Sequence, residues 1–318
     1  MAEDGLRYAK PGFPGPSSLF STRIVCVSMA VRFFIGRYSL IYGRMALDGH
    51  LPFPYPEWTR KGIKMSASHT PHDAQIVAQF TRWAKPFSEL AIHAENESMA
   101  QTLAACAVSK DMKVLDVACG PGIVACELAR IGAHVTGIDL TPAMIEQARL
   151  RADNMGVTVA YHIGNALHLP FPADSFDRVV TRYSFHHMQD PAKVLAEMVR
   201  VCRPDGRLIV IDATPAPECQ AGYDRAETLR DPSHTSALTL DQLLSLGNKA
   251  GLSPAMIHQY RLESHLEDQV APEDWTALQA MFAEDIAGGQ DRLGMGAWQD
   301  SNGIHFYFPI SIVSWSKT

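Results

Sequence analysis

The sequence predicts an α/β fold with one mostly parallel sheet, and three observations carry that prediction. Val114 to Val117 is a short apolar run that enters a glycine-rich turn, Ala118-Cys119-Gly120-Pro121-Gly122; apolar residues at helical spacing follow at Ile123, Val124, Leu128 and Ile131. A second apolar run, Ala133 to Ile138, leads into Asp139. Strand-like and helix-like segments then keep alternating to about Asp212, the order of βαβ units with helices on the sheet faces. A strand, a tight glycine turn and a helix N-terminus form a socket in which a ligand can approach the backbone closely. A carboxylate ending the next parallel strand comes within reach of a ribose diol. A nucleoside cofactor is expected here.

The elements follow in order. From His72 a helical pattern (Ile76, Val77, Phe80, Trp83) runs to a break at Pro86, and a second helix is expected over residues 88–108. The helix after the glycine turn covers Ile123 to Arg130. Thr141 suits an N-cap and Pro142 a first helical position, for a helix reaching about Met155. A strand from Val157 to Ile163 ends in Gly164-Asn165-Ala166, and another, Arg178 to Thr181, opens into Arg182-Tyr183-Ser184-Phe185-His186-His187-Met188. The helix with apolar face Val194, Leu195, Met198, Val199 and Cys202 ends at Arg203-Pro204-Asp205-Gly206, before a fifth strand, Arg207 to Asp212. Leu240 to Ala250 is helical, closed by Gly251. Ala255 to Leu262 reads as a strand, Pro272 to Ile286 as a helix, and Ile304 to Trp315 as a long strand interrupted by Pro309.

The turn fits the loose dinucleotide pattern GxGxxG/A, with Asp139 at a distance suited to NAD. Asp116 argues against that cofactor, because a dinucleotide site normally runs its strand straight into the glycines. An acidic residue on the strand followed by Ala-Cys-Gly-Pro-Gly resembles motif I of the class I S-adenosylmethionine-dependent methyltransferases. Leu169-Pro170-Phe171-Pro172-Ala173-Asp174-Ser175-Phe176-Asp177 and the turn at Arg203–Gly206 look like segments of the group resembling the ubiquinone/menaquinone-biosynthesis methyltransferases (methyltransferase type 11). The resemblance covers about Val114 to Asp212.

That resemblance implies a Rossmann-like, seven-stranded, mostly parallel sheet sandwiched by helices. Its last strands would be an antiparallel hairpin, supplied by Ala255–Leu262 and Ile304–Trp315, and N-terminal helices carrying Phe80 and Trp83 would lie over the cleft as a lid. It implies S-adenosyl-L-methionine as cofactor, held by Asp116, Ala118, Cys119, Gly120, Gly122, Asp139, Leu140, Met144, Asn165, Ala166 and Arg182. Two positions depart from the pattern. Asn165 stands where Asp is usual; its amide oxygen can still accept from the adenine amino group, without the charge. Asp205 stands where Gly is usual.

Composition frames the rest. The 318 residues are 47% hydrophobic and 19% charged, as in an ordinary globular enzyme with ample core. A net charge of −6 gives no basic footprint for nucleic acid. Six cysteines (Cys26, Cys106, Cys119, Cys126, Cys202, Cys219) lack metal or CxxC spacing and read as reduced thiols of a cytoplasmic protein; no metal site is expected. Residues 1–64 hold nine Lys/Arg and four Asp/Glu, so they read as a basic extension to a methyltransferase domain spanning 65–318, with core 110–215 and an acceptor-side and hairpin region 216–318. Ile24 to Tyr42 is short for a membrane span and interrupted by Arg32 and Arg37. A targeting leader and a membrane-surface helix are weighed for this extension; a start-site artefact, with Met65 as the natural start, is preferred.

Methyl transfer from a sulfonium is an in-line displacement, so the protein chiefly positions the acceptor, excludes water and removes a proton. His187 and His186 are the candidates for the proton step, with Tyr183 and His234 behind them; the bland alternative is that the His pair shapes the loop. Arg230-Asp231-Pro232-Ser233-His234 is a candidate acceptor-site loop. No Asn/Asp-Pro-Pro-Tyr tetrapeptide follows the fourth strand, which leaves a small apolar or aromatic acceptor: a quinone precursor, a phenol or a specialised metabolite. No nucleic-acid partner is expected, and a homodimer is compatible with the chain. The alternatives are a non-methylating enzyme of the same fold, such as a cyclase, and a binding module without activity.

Overall fold

A computed structural model describes residues 70–89, 96–269 and 275–317. The readings made for residues 1–64 lie outside the described residues. Two helices, α1 (Pro71–Glu89) and α2 (Asn96–Cys106), precede the sheet. There follow β1 (Lys113–Val117), α3 (Ile123–Arg130), β2 (His134–Asp139), α4 (Pro142–Met155), β3 (Val159–Ile163) and β4 (Phe176–Arg182). A single 3₁₀ turn, Phe185–His187, leads to α5 (Pro191–Val201) and β5 (Cys202–Ala213). The chain continues as α6 (Gln220–Arg230), α7 (Leu240–Lys249), β6 (Ser253–His265), α8 (Leu266–Gln269), α9 (Trp275–Gly288), β7 (Trp298–Asp300) and β8 (Gly303–Ser316).

The sheet order is β3-β2-β1-β4-β5-β8-β6, with β7 paired to β8. β1 to β5 are parallel, and β8 runs antiparallel to β5, β6 and β7. The chain therefore winds outward from β1 to β3, returns, and winds the other way through β4 and β5. That reversal opens a crevice at the carboxyl ends of β1 and β4, where ligands of open α/β sheets bind. β1 is buried at every residue after Lys113, as a central parallel strand must be. The antiparallel strands at the far side are those expected from sequence, with one short strand more.

Several boundaries differ from the sequence reading for local reasons. The helix expected to break at Pro86 continues to Glu89, and the next helix is shorter than expected, Asn96–Cys106. Thr141 stands at the N-cap of α4, yet its side chain makes no capping bond. Arg203-Pro204-Asp205-Gly206 does not separate helix from strand; it is an irregularity within β5, whose pairing with β4 shifts register between Phe176 and Arg178. Asp205 adopts φ 62°, the left-handed region that explains why Gly is usual there. Pro309 does not interrupt β8, because its carbonyl accepts from the Thr214 N–H and the strand runs on. Among the described residues, no helix is long and apolar enough to cross a membrane.

Candidate active site

The carboxyl ends of β1, β2 and β4, with the start of α1, enclose a cleft of about 1150 Å³. The turn after β1 bends tightly because Ala118, Gly120 and Gly122 all hold positive φ, at 53°, 51° and 75°. For Ala118, which has a Cβ, that conformation costs about 1 kcal/mol. The two glycines serve different ends. Gly120 has nothing within 4 Å of where a Cβ would stand, which leaves room above the turn. At Gly122, the N-cap of α3, a Cβ would strike the Tyr161 hydroxyl and the Ala148 side chain, so this glycine lets α3 pack on β3 and α4.

Asp139 fastens the turn to the end of β2. Its Oδ2 accepts the Gly120 N–H at 2.9 Å and its Oδ1 the Thr141 N–H at 2.8 Å. A carboxylate oxygen can accept more than one hydrogen bond, so both can take a further donor. Asp116 lies beneath the turn, 2% exposed, with Oδ2 lacking any hydrogen-bond partner among the described residues. Burial lifts its carboxyl to about 8, against the Ala125 N–H, which works the other way. A buried carboxylate oxygen without a donor is costly, and a cationic ligand in the cleft would relieve it.

The third corner was not foreseen in full. Thr70 and Asp73 cap α1 reciprocally: Asp73 N–H donates to Thr70 Oγ1 at 3.1 Å, and Thr70 N–H to Asp73 Oδ2 at 2.8 Å. Asn165 Nδ2 donates to Asp73 Oδ1 at 3.3 Å, while its Oδ1 accepts the Leu167 N–H at 2.9 Å. Asp73 thus brings a carboxylate from α1 beside Asn165. The signal was present as Thr-Pro-His-Asp, a helix-start pattern. His72 Nε2 meets the His187 carbonyl at 2.8 Å, which pins α1 across the cleft to the loop after β4.

A second cavity, of about 570 Å³, adjoins the first, and Phe80, Tyr183 and His187 line both. Its apolar wall is Tyr223, Leu262, Phe308 and Ile310; its polar wall is His186, Asp212, Glu227, Arg230, Asp231 and Gln269. Asp212, ending β5, organises the loop: Oδ2 accepts the N–H groups of Ser184 and Phe185 at 2.9 and 2.6 Å, and Oδ1 meets His186 Nδ1 at 2.6 Å. Burial opposes a charge on His186, but Asp212 outweighs it and the ring's pKa is raised. His187 is the opposite case. Burial, then the neighbouring His186, presses its pKa to about 3, so the ring is neutral. Its Nδ1 faces the Ser233 carbonyl at 3.1 Å and its Nε2 stands 3.9 Å from Asp231. A neutral ring donating from Nδ1 keeps its Nε2 lone pair. Gln269, on α8, is 7% exposed and its Nε2 has no hydrogen-bond partner among the described residues.

Of the residues named from sequence, Asp116, Ala118, Cys119, Gly120, Asp139, Leu140, Met144, Asn165, Ala166, Arg182 and His187 line the first cleft. Gly122 does not, being turned toward Tyr161, and His186 opens on the second cavity. His234 lines neither cavity; its Nε2 is held by Asp224 at 2.8 Å. Phe80 stands edge-on to His187, ring centroids 5.1 Å apart, whereas Trp83 lines neither cavity. Asp73 and Gln269 were missed, the latter because a lone Gln on a four-residue helix carries no pattern.

Comparison with known proteins adds four findings. The family profile described as the methyltransferase domain matches residues 115–210. The uncharacterized methyltransferase YcgJ of Bacillus subtilis is 30% identical over 186 residues, which are 58% of this chain and 74% of that protein. The crystal structure of YcgJ superposes with a TM-score of 0.64 at 24% identity, covering 70% of this chain and 99% of that one, a likeness of fold. A demethylmenaquinone methyltransferase of Thermus thermophilus is 39% identical over 108 residues, 33% of this chain, and the match spans about half (49%) of that relative.

Proposed function

The chain belongs to the methyltransferase family, and from that premise we propose that it moves a methyl group from S-adenosyl-L-methionine to a small, largely apolar oxygen- or ring-bearing acceptor. The observation that carries the proposal is the pair of adjoining cavities meeting at Phe80, Tyr183 and His187. One cavity fits a charged nucleoside and the other a smaller apolar molecule, with the junction as the place of transfer.

The residues present fit the cofactor. The unpartnered Asp116 Oδ2 suits an ammonium, the further accepting capacity of Asp139 suits a ribose diol, and the open space at Gly120 admits a ligand against the backbone. At the adenine end, the Asn165 amide and the Asp73 carboxylate form one joined polar edge. Ala118, Cys119, Leu140, Met144, Ala166 and Arg182 complete the wall. When bound, the sulfonium supplies an electrophilic methyl on a good leaving group.

The chain's own work is then positioning and proton removal. α1 closes the cleft through His72 and Phe80, and the apolar wall of the second cavity excludes water. The buried Nε2 of Gln269 offers a donor to an acceptor oxygen, which favours a phenol or quinone precursor; the Thermus relative, a demethylmenaquinone methyltransferase, is named for an acceptor of that chemistry. His187, neutral and a weak base, takes the acceptor proton on Nε2 only as the forming methyl bond makes the acceptor acidic, and Asp231 at 3.9 Å steadies the resulting charge. His186, bound to Asp212, holds the loop in shape. Five unpaired cysteines among the described residues accord with a cytoplasmic setting.

The test is titration calorimetry with S-adenosylmethionine and S-adenosylhomocysteine, followed by S-adenosylhomocysteine release against a panel of phenols and quinols. Saturable binding of both nucleosides and turnover on at least one acceptor is the expected result. His187→Gln should then lower kcat about 100-fold or more with cofactor affinity unchanged. Absence of nucleoside binding would overturn the reading; binding without methyl consumption across the panel would turn it toward a non-methylating enzyme.

A further inference from the structure

Beyond the end of β5, strand β8 continues between two other partners, with β6 on one side and the short β7 on the other. His305 on β8 stands directly opposite His265 on β6, and opposite Trp298 on β7. Because side chains alternate along a strand, Glu263 shares the face of His265, and Asp300 that of Trp298. Leu262 and Ser264 are turned to the buried side, and Leu262 lines the second cavity. One face of this three-stranded extension therefore gathers Glu263, His265, His305 and Asp300.

Among the described residues, one ligand atom from each of Glu263, His265 and His305 lies within 4.8 Å of the others. His305 is 6% exposed, and its two nitrogens have different surroundings. Nε2 meets Asp300 Oδ1 at 3.1 Å, which fixes its hydrogen there. Nδ1 is buried, has no hydrogen-bond partner among the described residues, and faces Glu263 Oε1 at 3.6 Å. With the proton on Nε2, a ring lone pair and a carboxylate oxygen confront each other, an arrangement that a cation bound between them relieves. Metal-bound histidines regularly donate their other ring N–H to a carboxylate in this way. A pair of donors about 3.3–3.6 Å apart is also the separation that metal bonds of about 2.0–2.1 Å produce in a tetrahedral site.

We propose that Glu263, His265 and His305 bind a divalent transition-metal ion, zinc in chemical class, with Asp300 as the carboxylate that orients His305. Two imidazoles and a carboxylate suit zinc, cobalt, nickel or copper rather than magnesium or calcium. Three protein ligands leave a fourth position for water. The ion joins β6 to β8 on the face opposite Leu262, and so stiffens the strand that walls the second cavity. This site is independent of the cofactor cleft and of the proposed methyl transfer.

The experiment uses the full-length protein without a polyhistidine tag, stripped with chelator, and titrated with ZnCl2 and separately with CoCl2. The expected result is saturable binding of one ion per chain, visible cobalt d–d absorption, and static quenching of Trp298, whose ring stacks on His305 with centroids 4.9 Å apart. Zinc should raise the melting midpoint by mass action. Glu263→Gln, at an exposed position, should leave metal-free melting unchanged while weakening binding at least tenfold. His265→Ala should do the same, and Asp300→Asn should weaken binding by roughly tenfold through orientation of His305. Absence of saturable binding, or binding of equal strength in Glu263→Gln and His265→Ala, would overturn the proposal and leave His305 as a buried ring set between two carboxylates.

Discussion

The two halves of the cleft are built by opposite means. On the β1–β3 side the polar work is done mostly by backbone: glycines at positive φ, N–H groups aimed at Asp139, and one buried carboxylate oxygen left without a donor. On the β5–β8 side the polar groups are side chains that have already found each other: His186 with Asp212, His187 near Asp231, His234 with Asp224, and Arg230 with Glu227. The first side keeps unmet capacity for a charged ligand. The second has mostly neutralised its own charges and presents an apolar space with a few directed donors. A site for an invariable polar cofactor and a site for an apolar acceptor call for this difference, because an unpaired charge near an apolar acceptor would cost several kcal/mol in desolvation.

The contrast is sharpest at Asp139, where the largest effect is expected. Asp139→Ala should weaken S-adenosylhomocysteine binding by about 100-fold, the loss of charge-assisted bonds to ligand and turn together, while acceptor-side melting signatures hold. Binding retained within about threefold by calorimetry would mean the turn does not hold a ribose. Next in size, Gly122→Ala combines a positive φ with a collision against Tyr161 and should destabilise the protein by about 3 kcal/mol, read as a melting midpoint lower by roughly 10 °C. The same change at Gly120, which has open space around it, should leave stability less affected and strike ligand binding instead.

Asp116 gives the comparison a pH axis. Its folded carboxyl is lifted to about 8 from an unfolded value near 3.8, so between those limits the folded state holds a proton that the unfolded state has released. Stability of the ligand-free protein is therefore lost as pH rises from about 4 to about 8, and is unaffected by this group below about 4. Asp116→Asn should raise the ligand-free melting midpoint by a few degrees at pH 8, with the gain fading toward pH 4, and should weaken cofactor binding at the same time. A melting difference independent of pH would show that Asp116 is not the group involved. The smallest effect is at Ala118, where Ala118→Gly should relieve up to about 1 kcal/mol of left-handed strain, partly offset by unfolded-chain entropy. Chemical denaturation would resolve it as a small rise in midpoint or none; a clear fall would show that the methyl group packs against the cleft wall.

Much of the cofactor side was legible because its features are local. A strand, a glycine turn, a helix start and a strand-end carboxylate lie within 26 residues, Val114 to Asp139, and each leaves a mark in spacing or residue type. The structure adds what a residue read alone does not carry. Asn165 lacks a charge of its own, and α1 brings Asp73 beside it across 92 residues. Gly122 sets its bare Cα against Tyr161, where it serves the packing of α3. The break expected at Pro86 did not occur.

What the sequence determined by itself was the alternation of apolar strands and helices, the glycine turn, and the placing of Asp116 and Asp139 on adjacent parallel strands, since periodicity and turn chemistry act over a few residues. Only the tertiary structure decided which histidine meets which carboxylate, that His187 is the histidine lining both cavities, and that Glu263, His265, His305 and Asp300 share one face. His186 meets Asp212 across 26 residues and His187 meets the Ser233 carbonyl across 46, while His265 reaches His305 only through strand register, and no local pattern encodes these contacts. Short-range sterics write themselves into a sequence, whereas the burial of a charge depends on what the rest of the chain folds over it.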